Sequence, residues 1–240
     1  MKTKLIQLAL LVVSCYPFSV YSADNEIYIT QSGTTSNIDI EQLGSGNIIG
    51  GSDAIAGTMT PLDLDGNSLT LDINLIGSTN KFLGDIWADS YTGFFEFDGS
   101  SNTFNIQTDP TNTFGADNSN VNVDVTGSSN SMTLNQATAA LASGLDLDWI
   151  VQGSDNSITA SIDYDSAVNY ISLDGDDNTV TFDADGYANG YFKLEQTGGN
   201  RTFNIQQQST LDNDWLRIIS SGDNGTVCVI QNDAGGSTSC

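Results

Sequence analysis

One pattern of apolar and polar positions recurs along this chain from Ile29 to Val227. Counted from an anchor residue at 0, it sets an apolar residue at −2, glycine at +2, asparagine at or beside +5 and an apolar residue at +7. The run from Phe95 to Phe104, anchored at Phe97 with Gly99 and Asn102, is a clear copy. Anchors fall at 31, 42, 64, 75, 97, 125, 151, 173, 196 and 220, the copy at 64 being a weak one with Gly66 and Leu71 but no asparagine beside +5. Every −2 position is apolar, from Ile29 and Ile40 through Trp149 to Ile218, and every +2 position is glycine. Alternation around the anchor predicts a strand with −2 and 0 on one face, and a second strand with +7 and +9 on one face. Glycine at +2 permits positive φ where the chain turns, and asparagine near +5 tolerates the left-handed region and bonds its own backbone. Each copy is therefore expected to form a strand–turn–strand arch that cannot bury its apolar face alone.

The spacings between anchors are 11, 22, 11, 22, 28, 26, 22, 23 and 24 residues. Stacking such arches pairs each strand with neighbours above and below and aligns like residues into ladders. The predicted fold is an all-β solenoid with coils of about 22 residues. Roughly nine coils would make a rod on the order of 43 Å long. A β-sandwich of short alternating strands explains the turn-rich composition but not the fixed phase of the glycines.

Charge narrows the function. The 240 residues include 30 Asp and Glu, 6 Lys and Arg and no His, for a net charge of −24. Phosphate affinity rests on clustered Lys and Arg, so nucleic acid and a polybasic membrane contact are excluded. Without histidine there is no Ser-His-Asp or Cys-His catalysis. Among the acids only Glu26, Glu41, Glu96 and Glu195 are glutamates, and a preponderance of Asp favours turns over helices.

Residues 1–22 read as a secretory signal peptide, with Lys2 and Lys4 ahead of an apolar Leu5–Val13 core too short to span a bilayer and cleavage after Ser22. Residues 23–240 are then one exported solenoid domain with no transmembrane segment. A competing reading makes Val12-Val13-Ser14-Cys15 a lipobox with Cys15 lipidated. With Cys15 removed, Cys228 and Cys240 remain, and an oxidising compartment favours a disulfide between them over a reactive pair.

The early copies resemble the curlin repeat of curli fibres, Gln-x-Gly-x-x-Asn-x-Ala-x-x-x-Gln. Gln42, Gly44 and Asn47 match its first half, and Gln31 with Gly33 leads eleven residues on to Gln42, with Asn37 one place late. Gln196 and Gly198 lead likewise to Gln207, with Arg201 at the asparagine position, and Gln136 and Gln231 also lie eleven after their anchors. The resemblance implies a secreted subunit of an extracellular amyloid-like adhesive fibre, active in biofilm, exported through a dedicated outer-membrane pore and partnered with itself. The chain departs from the family in having mostly Leu, Phe or Val as anchors, and in insertions of four to six residues in the coils from Phe97 to Val151. The expected assembly ladder is Gln31, Gly33, Asn37, Gln42, Gly44, Asn47, Gly77, Asn80, Gly99, Asn102, Gly127, Asn130, Gly153, Asn156, Gly175, Asn178, Gln196 and Gly198.

Other chemistry is thin. Asp174 and Asp176, and Asp183 and Asp185, lie in carboxylate-rich turns able to hold incidental Ca²⁺, but neither has EF-hand spacing with its closing Glu. No cofactor is implied and no catalytic residue stands out, since with so many Asp any acid pair can be nominated for a polysaccharide-acting β-helix enzyme. Trp87, Tyr91, Trp149, Trp215 and Tyr187 are able to stack on sugars, although Trp149 and Phe97 sit in the inward phase. A non-polymerising surface adhesin or carbohydrate-binding stalk is the alternative to a fibre subunit.

Overall fold

The computed structural model describes residues 26–50, 62–88, 90–108, 118–136, 144–164, 166–186, 189–209 and 214–232. Residues 1–22 of the expected signal peptide, Cys15, Tyr187 and Cys240 lie outside them. The described residues contain strands and turns and no helix. In chain order the strands are β1 (Glu26–Tyr28), β2 (Thr30–Ser32), β3 (Thr35–Leu43), β4 (Ile48–Gly50), β5 (Leu62–Gly66), β6 (Ser68–Ile76) and β7 (Lys81–Ala88). They continue with β8 (Tyr91–Asp98), β9 (Thr103–Thr108), β10 (Ser119–Thr126), β11 (Ser131–Gln136), β12 (Leu145–Gln152) and β13 (Ser157–Tyr164). The last are β14 (Ala167–Asp174), β15 (Thr179–Gly186), β16 (Gly190–Thr197), β17 (Arg201–Ser209), β18 (Trp215–Ser221) and β19 (Gly225–Asn232).

These strands form a β-solenoid of two parallel sheets. The first sheet runs β1-β4-β7-β9-β11-β13-β15-β17-β19, with β2 and β5 alongside, and the second runs β3-β6-β8-β10-β12-β14-β16-β18. From β6 onward chain order alternates between sheets, so each coil has one strand in each, while the first two rungs of the first sheet are split into β1 with β2 and β4 with β5. The nine rungs of the first sheet make eight steps of about 4.8 Å, roughly 38 Å from first strand to last. The expected rod of about 43 Å counts nine full coil heights, one more than the steps between nine stacked strands.

The anchors align in register. Gln42, Leu75, Phe97, Val125, Val151, Leu173, Gln196 and Ser220 form one unbroken ladder in the second sheet. The +7 residues Ile49, Phe82, Phe104, Met132, Ile158, Val180, Phe203 and Val227 form another in the first. Anchors 31 and 64 belong elsewhere. Gln31 pairs with Leu64 and Leu64 with Ile86, in a ladder continuing through Thr108, Gln136, Ile162, Ala184 and Gln207 to Gln231. The eleven-residue period is therefore a half-coil, and the copies at 31 and 64 mark turns on the opposite edge of the rod. The separations of the stacked asparagines, 33, 22, 28, 26 and 22 residues, measure whole coils. The long first coil has residues 51–61 placed between β4 and β5, which pair with successive parts of β7.

Alternation along the strands sends one face into a continuous core and the other to solvent, as in the B-e-B-i-B-i-B-e burial of β12, β14 and β16. Trp149, Phe82, Phe95, Phe97 and Phe104 are fully buried. Phe104 is the hub, with ring centroids 5.1 Å from Phe95, 5.0 Å from Phe97 and 6.2 Å from Trp149. Burying each such ring contributes about 1.5–3 kcal/mol.

Candidate functional site

The turns from the second sheet to the first stack into one edge of the rod, here the glycine edge. Gly44, Gly77, Gly99, Gly127, Gly153, Gly175, Gly198 and Gly222 all have φ between 124° and 141°. From Gly77 onward a side chain there would also collide with the previous coil, since a Cβ on Gly127 would land on the Gly99 carbonyl oxygen, well inside van der Waals contact. Gly33 behaves differently: its φ is outside the positive region, and it turns the chain from β2 into β3 on the other edge, the loop edge. Asn37, expected in a turn, is an exposed residue within β3.

The left-handed residue of each glycine-edge turn is at +4, not +5. Thr79, Ser101, Ser129, Asp155, Asp177, Asn200 and Asn224 occupy it with φ between 51° and 61°. That explains why Asn200 and Asn224 stand one place early: they fill the left-handed position, where asparagine is well tolerated. The +5 asparagines point inward and do another task. The backbone N–H of Asn47 donates to Oδ1 of Asn80 (3.0 Å), and the same bond links Asn80 to Asn102, Asn102 to Asn130, Asn130 to Asn156 and Asn156 to Asn178, each at 2.9 Å. Asn178 Nδ2 also donates to the carbonyls of Gly153 (3.1 Å) and Gly175 (3.0 Å). In the next coil Arg201 donates from Nη1 to its own turn carbonyl at Gly198 (3.1 Å), taking over that half of the asparagine's work. Guanidinium offers no acceptor, so the ladder stops at Asn178.

Glutamines gather toward the ends of the two corner ladders, although the anchor ladder itself ends on Ser220. Gln31 and Gln42 lie in the first coil, Gln196, Gln207 and Gln231 in the last two, and apolar residues or Thr108 fill the rungs between, apart from Gln136. Gln42, Gln136, Gln196 and Gln207 are buried. Gln196 donates to the Gly175 carbonyl (3.2 Å) and accepts from Ser220 Oγ (3.1 Å). Gln31 Nε2 donates to Ser36 Oγ (2.9 Å), and Gln231 Nε2 to the Asp214 carbonyl (3.2 Å). The core also buries polar residues that the template does not signal: Thr108, on the rung beside Gln136, and Tyr91 and Ser119, with Thr108 Oγ1 donating to Tyr91 Oη at 3.3 Å. Burial pushes the Tyr91 phenol well up from its ordinary value. Tyr91 is thus no sugar platform. Trp149 is core, Trp87 half-buried, and Trp215 exposed with its ring stacked on Tyr191 at 4.2 Å.

The carboxylates clothe the outer faces of both sheets as well as the turns. Asp63 sits beside Asp85, and Asp163 beside Asp185, on adjacent coils. Partial burial first, and Asp63 second, raise the Asp85 carboxyl above its ordinary value. Asp183 is raised by burial and Asp185, and Asp148 by burial, Asp146 and Asp124. Asp174 and Asp176 lie at the glycine edge, where the Asp176 carboxylate accepts from the Gly199 N–H, whereas Asp183 and Asp185 lie within β15. Among the described residues no three carboxylate or cysteine groups converge on a metal position. Cys228 in β19 is disulfide-bonded.

The ends of the rod break the burial pattern. Val227 and Val229 continue the inward ladders of Phe203 and Ile205, yet are 48% and 41% exposed because no described strand lies beyond them. At the other end Ile27, Ile29 and Ile38 are only partly buried. Among the described residues no helix is long and apolar enough to cross a membrane. No family model, no curated protein and no solved structure matches this chain.

Proposed function

We propose that this chain is an exported, curlin-like structural protein whose solenoid ends associate, building extracellular adhesive amyloid-like fibres of the kind that support biofilm. Residues 1–22 would direct export, and a curlin-type outer-membrane pore would release the chain. The observation that carries the reading is the pair of open ends. Among the described residues each presents strand edges without a further strand, apolar core residues and a glutamine rung, a surface that templates further strands. The repeat-like glutamines are concentrated there, where association would use them. The test is incubation of purified residues 23–240, read by thioflavin fluorescence and X-ray diffraction. Fibres with a 4.7–4.8 Å meridional spacing support the reading. A chain that stays unassembled and natively folded in physiological salt overturns it.

A second reading, a non-polymerising surface adhesin or stalk, is favoured by the insertions at the loop edge and the carboxylates on both flanks. Both hinder lateral packing of rods.

A further inference from the structure

The two sheets end unevenly. The first sheet has nine rungs from β1 to β19 and the second eight from β3 to β18. The described chain thus begins and ends in the same sheet, with whole coils plus one half. Among the described residues, with β1 and β2 taken level with β3, β19 stands one strand beyond β18, and that end of the rod is a step. A second copy seated head to tail, with β1 and β2 on β19, would carry its β3 one strand too far from β18. That would leave a strand-wide gap between two edges of unpaired N–H and C=O groups.

We infer that the C-terminal step is closed by the same step of a second copy, tail to tail. A two-fold axis parallel to the strands exchanges the sheets, so that β19 of each copy fills the recess above β18 of the other. β18 and β19 run in opposite directions, so each new pair is antiparallel, an arrangement that closes backbone hydrogen bonds at least as well as the parallel ladder. The contact is isologous and needs no other component. It sets inward Val229 against Ile218 of the second copy and covers Val227, the residues that break the burial pattern.

Charge selects the same end. From residue 189 to 232 three bases, Lys193, Arg201 and Arg217, stand against four acids, Glu195, Asp212, Asp214 and Asp223. Residues 23–188 have Lys81 as their one base. Two rods of this charge repel along their lengths and at their N-terminal coils, where Glu26, Asp39 and Glu41 have no basic neighbour in sequence. The tails, at 3 − 4 = −1 each over these residues, meet with the least like-charge repulsion. The inference rests on the reading that rod ends associate, and it adds the polarity of the first contact. Growth beyond a dimer then needs N-terminal steps to meet, which salt must screen.

The test uses residues 23–240 at low salt, with light scattering after gel filtration and circular dichroism to verify folding. The wild type is expected at twice the mass of one chain. Ile27→Arg, at the N-terminal end, keeps that mass; Val229→Arg, at the step, falls to one chain, and Val227→Lys provides a second tail variant if Val229→Arg fails to fold. A monomeric wild type overturns the inference, including one whose own C-terminal segment covers the step. So does loss of the dimer in Ile27→Arg, or a pair of variants each monomeric alone but dimeric when mixed, the signature of head-to-tail contact. Dimers without fibres would remove the fibre reading and leave this contact standing, while fibres grown from a head-to-tail pair would do the reverse.

Discussion

Replacing Asn130 by alanine tests the asparagine ladder at its centre. Asn130 Oδ1 accepts the backbone N–H of Asn102 at 2.9 Å, and both residues are almost fully buried, at 2% and 3% exposure. Alanine leaves that N–H with no acceptor in a place water does not reach. A buried donor left unsatisfied costs about 1–3 kcal/mol. For a chain of this size that corresponds to a fall in Tm of about 2–12 °C. Urea unfolding of residues 23–240 should show a lower midpoint with an unchanged slope, while exposed Asn120→Ala stays within about 0.5 kcal/mol of wild type. Asn130→Asp separates hydrogen bonding from packing: it keeps the acceptor and the shape but buries a charge, so it should be destabilised at pH 7 and recover once the carboxyl protonates. If Asn130→Ala unfolds at the same midpoint as Asn120→Ala, the ladder is not holding the turns.

Three further outcomes follow from the same geometry. Gly127→Ala forces a side chain into positive φ and against the Gly99 carbonyl, so it should lose more than the roughly 1–2 kcal/mol of the backbone strain alone, read in the same urea assay. Lowering the pH from 7 toward 4 should raise Tm. Asp85, Asp148 and Asp183 have folded values above their ordinary ones, so the folded state takes up protons first, and the stability this gives is lost as pH rises through the folded values; a Tm that falls on the same descent refutes the assignment. Added salt or millimolar Ca²⁺ should raise Tm by screening stacked pairs such as Asp63–Asp85, and a melting curve indifferent to both removes the claim that these carboxylates repel.

The core was legible in the sequence because period two and the glycine phase are both written in single residues. Phe97, Val125 and Leu173 pair in register as the template requires, and Val227 continues the +7 ladder to the last strand. The task of the asparagines was not legible. Asparagine serves both left-handed turns and buried side-chain bonds, and only the structure separates Asn224 in the first role from Asn130 in the second. Nor could spacing alone distinguish the edges. Gln31 and Gln42 are eleven apart like successive repeats, yet they occupy opposite corners of one coil, and residues 51–61 lengthen the first coil by another eleven. The polar group of Tyr91, Thr108 and Gln136 left no signal as a buried cluster, because the template fixes residue types only from −2 to +7 and these residues lie outside that span, Tyr91 at −6 and Thr108 and Gln136 at +11. The uneven ending of the sheets follows from strand counts and is invisible until the loop-edge and glycine-edge turns are told apart.

The two edges also divide the work of holding register. In a parallel stack a slip of one residue turns the core outward, but a slip of two keeps every apolar side chain inside, so the core alone does not fix the alignment. On the glycine edge a slip of two removes Asn130 Oδ1 from the Asn102 N–H and sets side chains where only glycine fits against the carbonyl below. That edge accordingly keeps a four-residue turn from Gly77–Asn80 to Gly175–Asn178. Among the described residues the loop edge carries no such asparagine ladder, and its connections vary in length from the lone Asn67 between β5 and β6 to residues 109–118 between β9 and β10. Apart from residues 51–61, which separate β4 from β5 in the first sheet, the insertions collect at that edge. It follows that an insertion of two residues after Gly99 should disrupt stacking of the coils beside it, whereas the same two residues within 109–117 should leave the strand signal and Tm near wild type. Equal damage at both places would mean that the core, and not the stacked turns, sets the register.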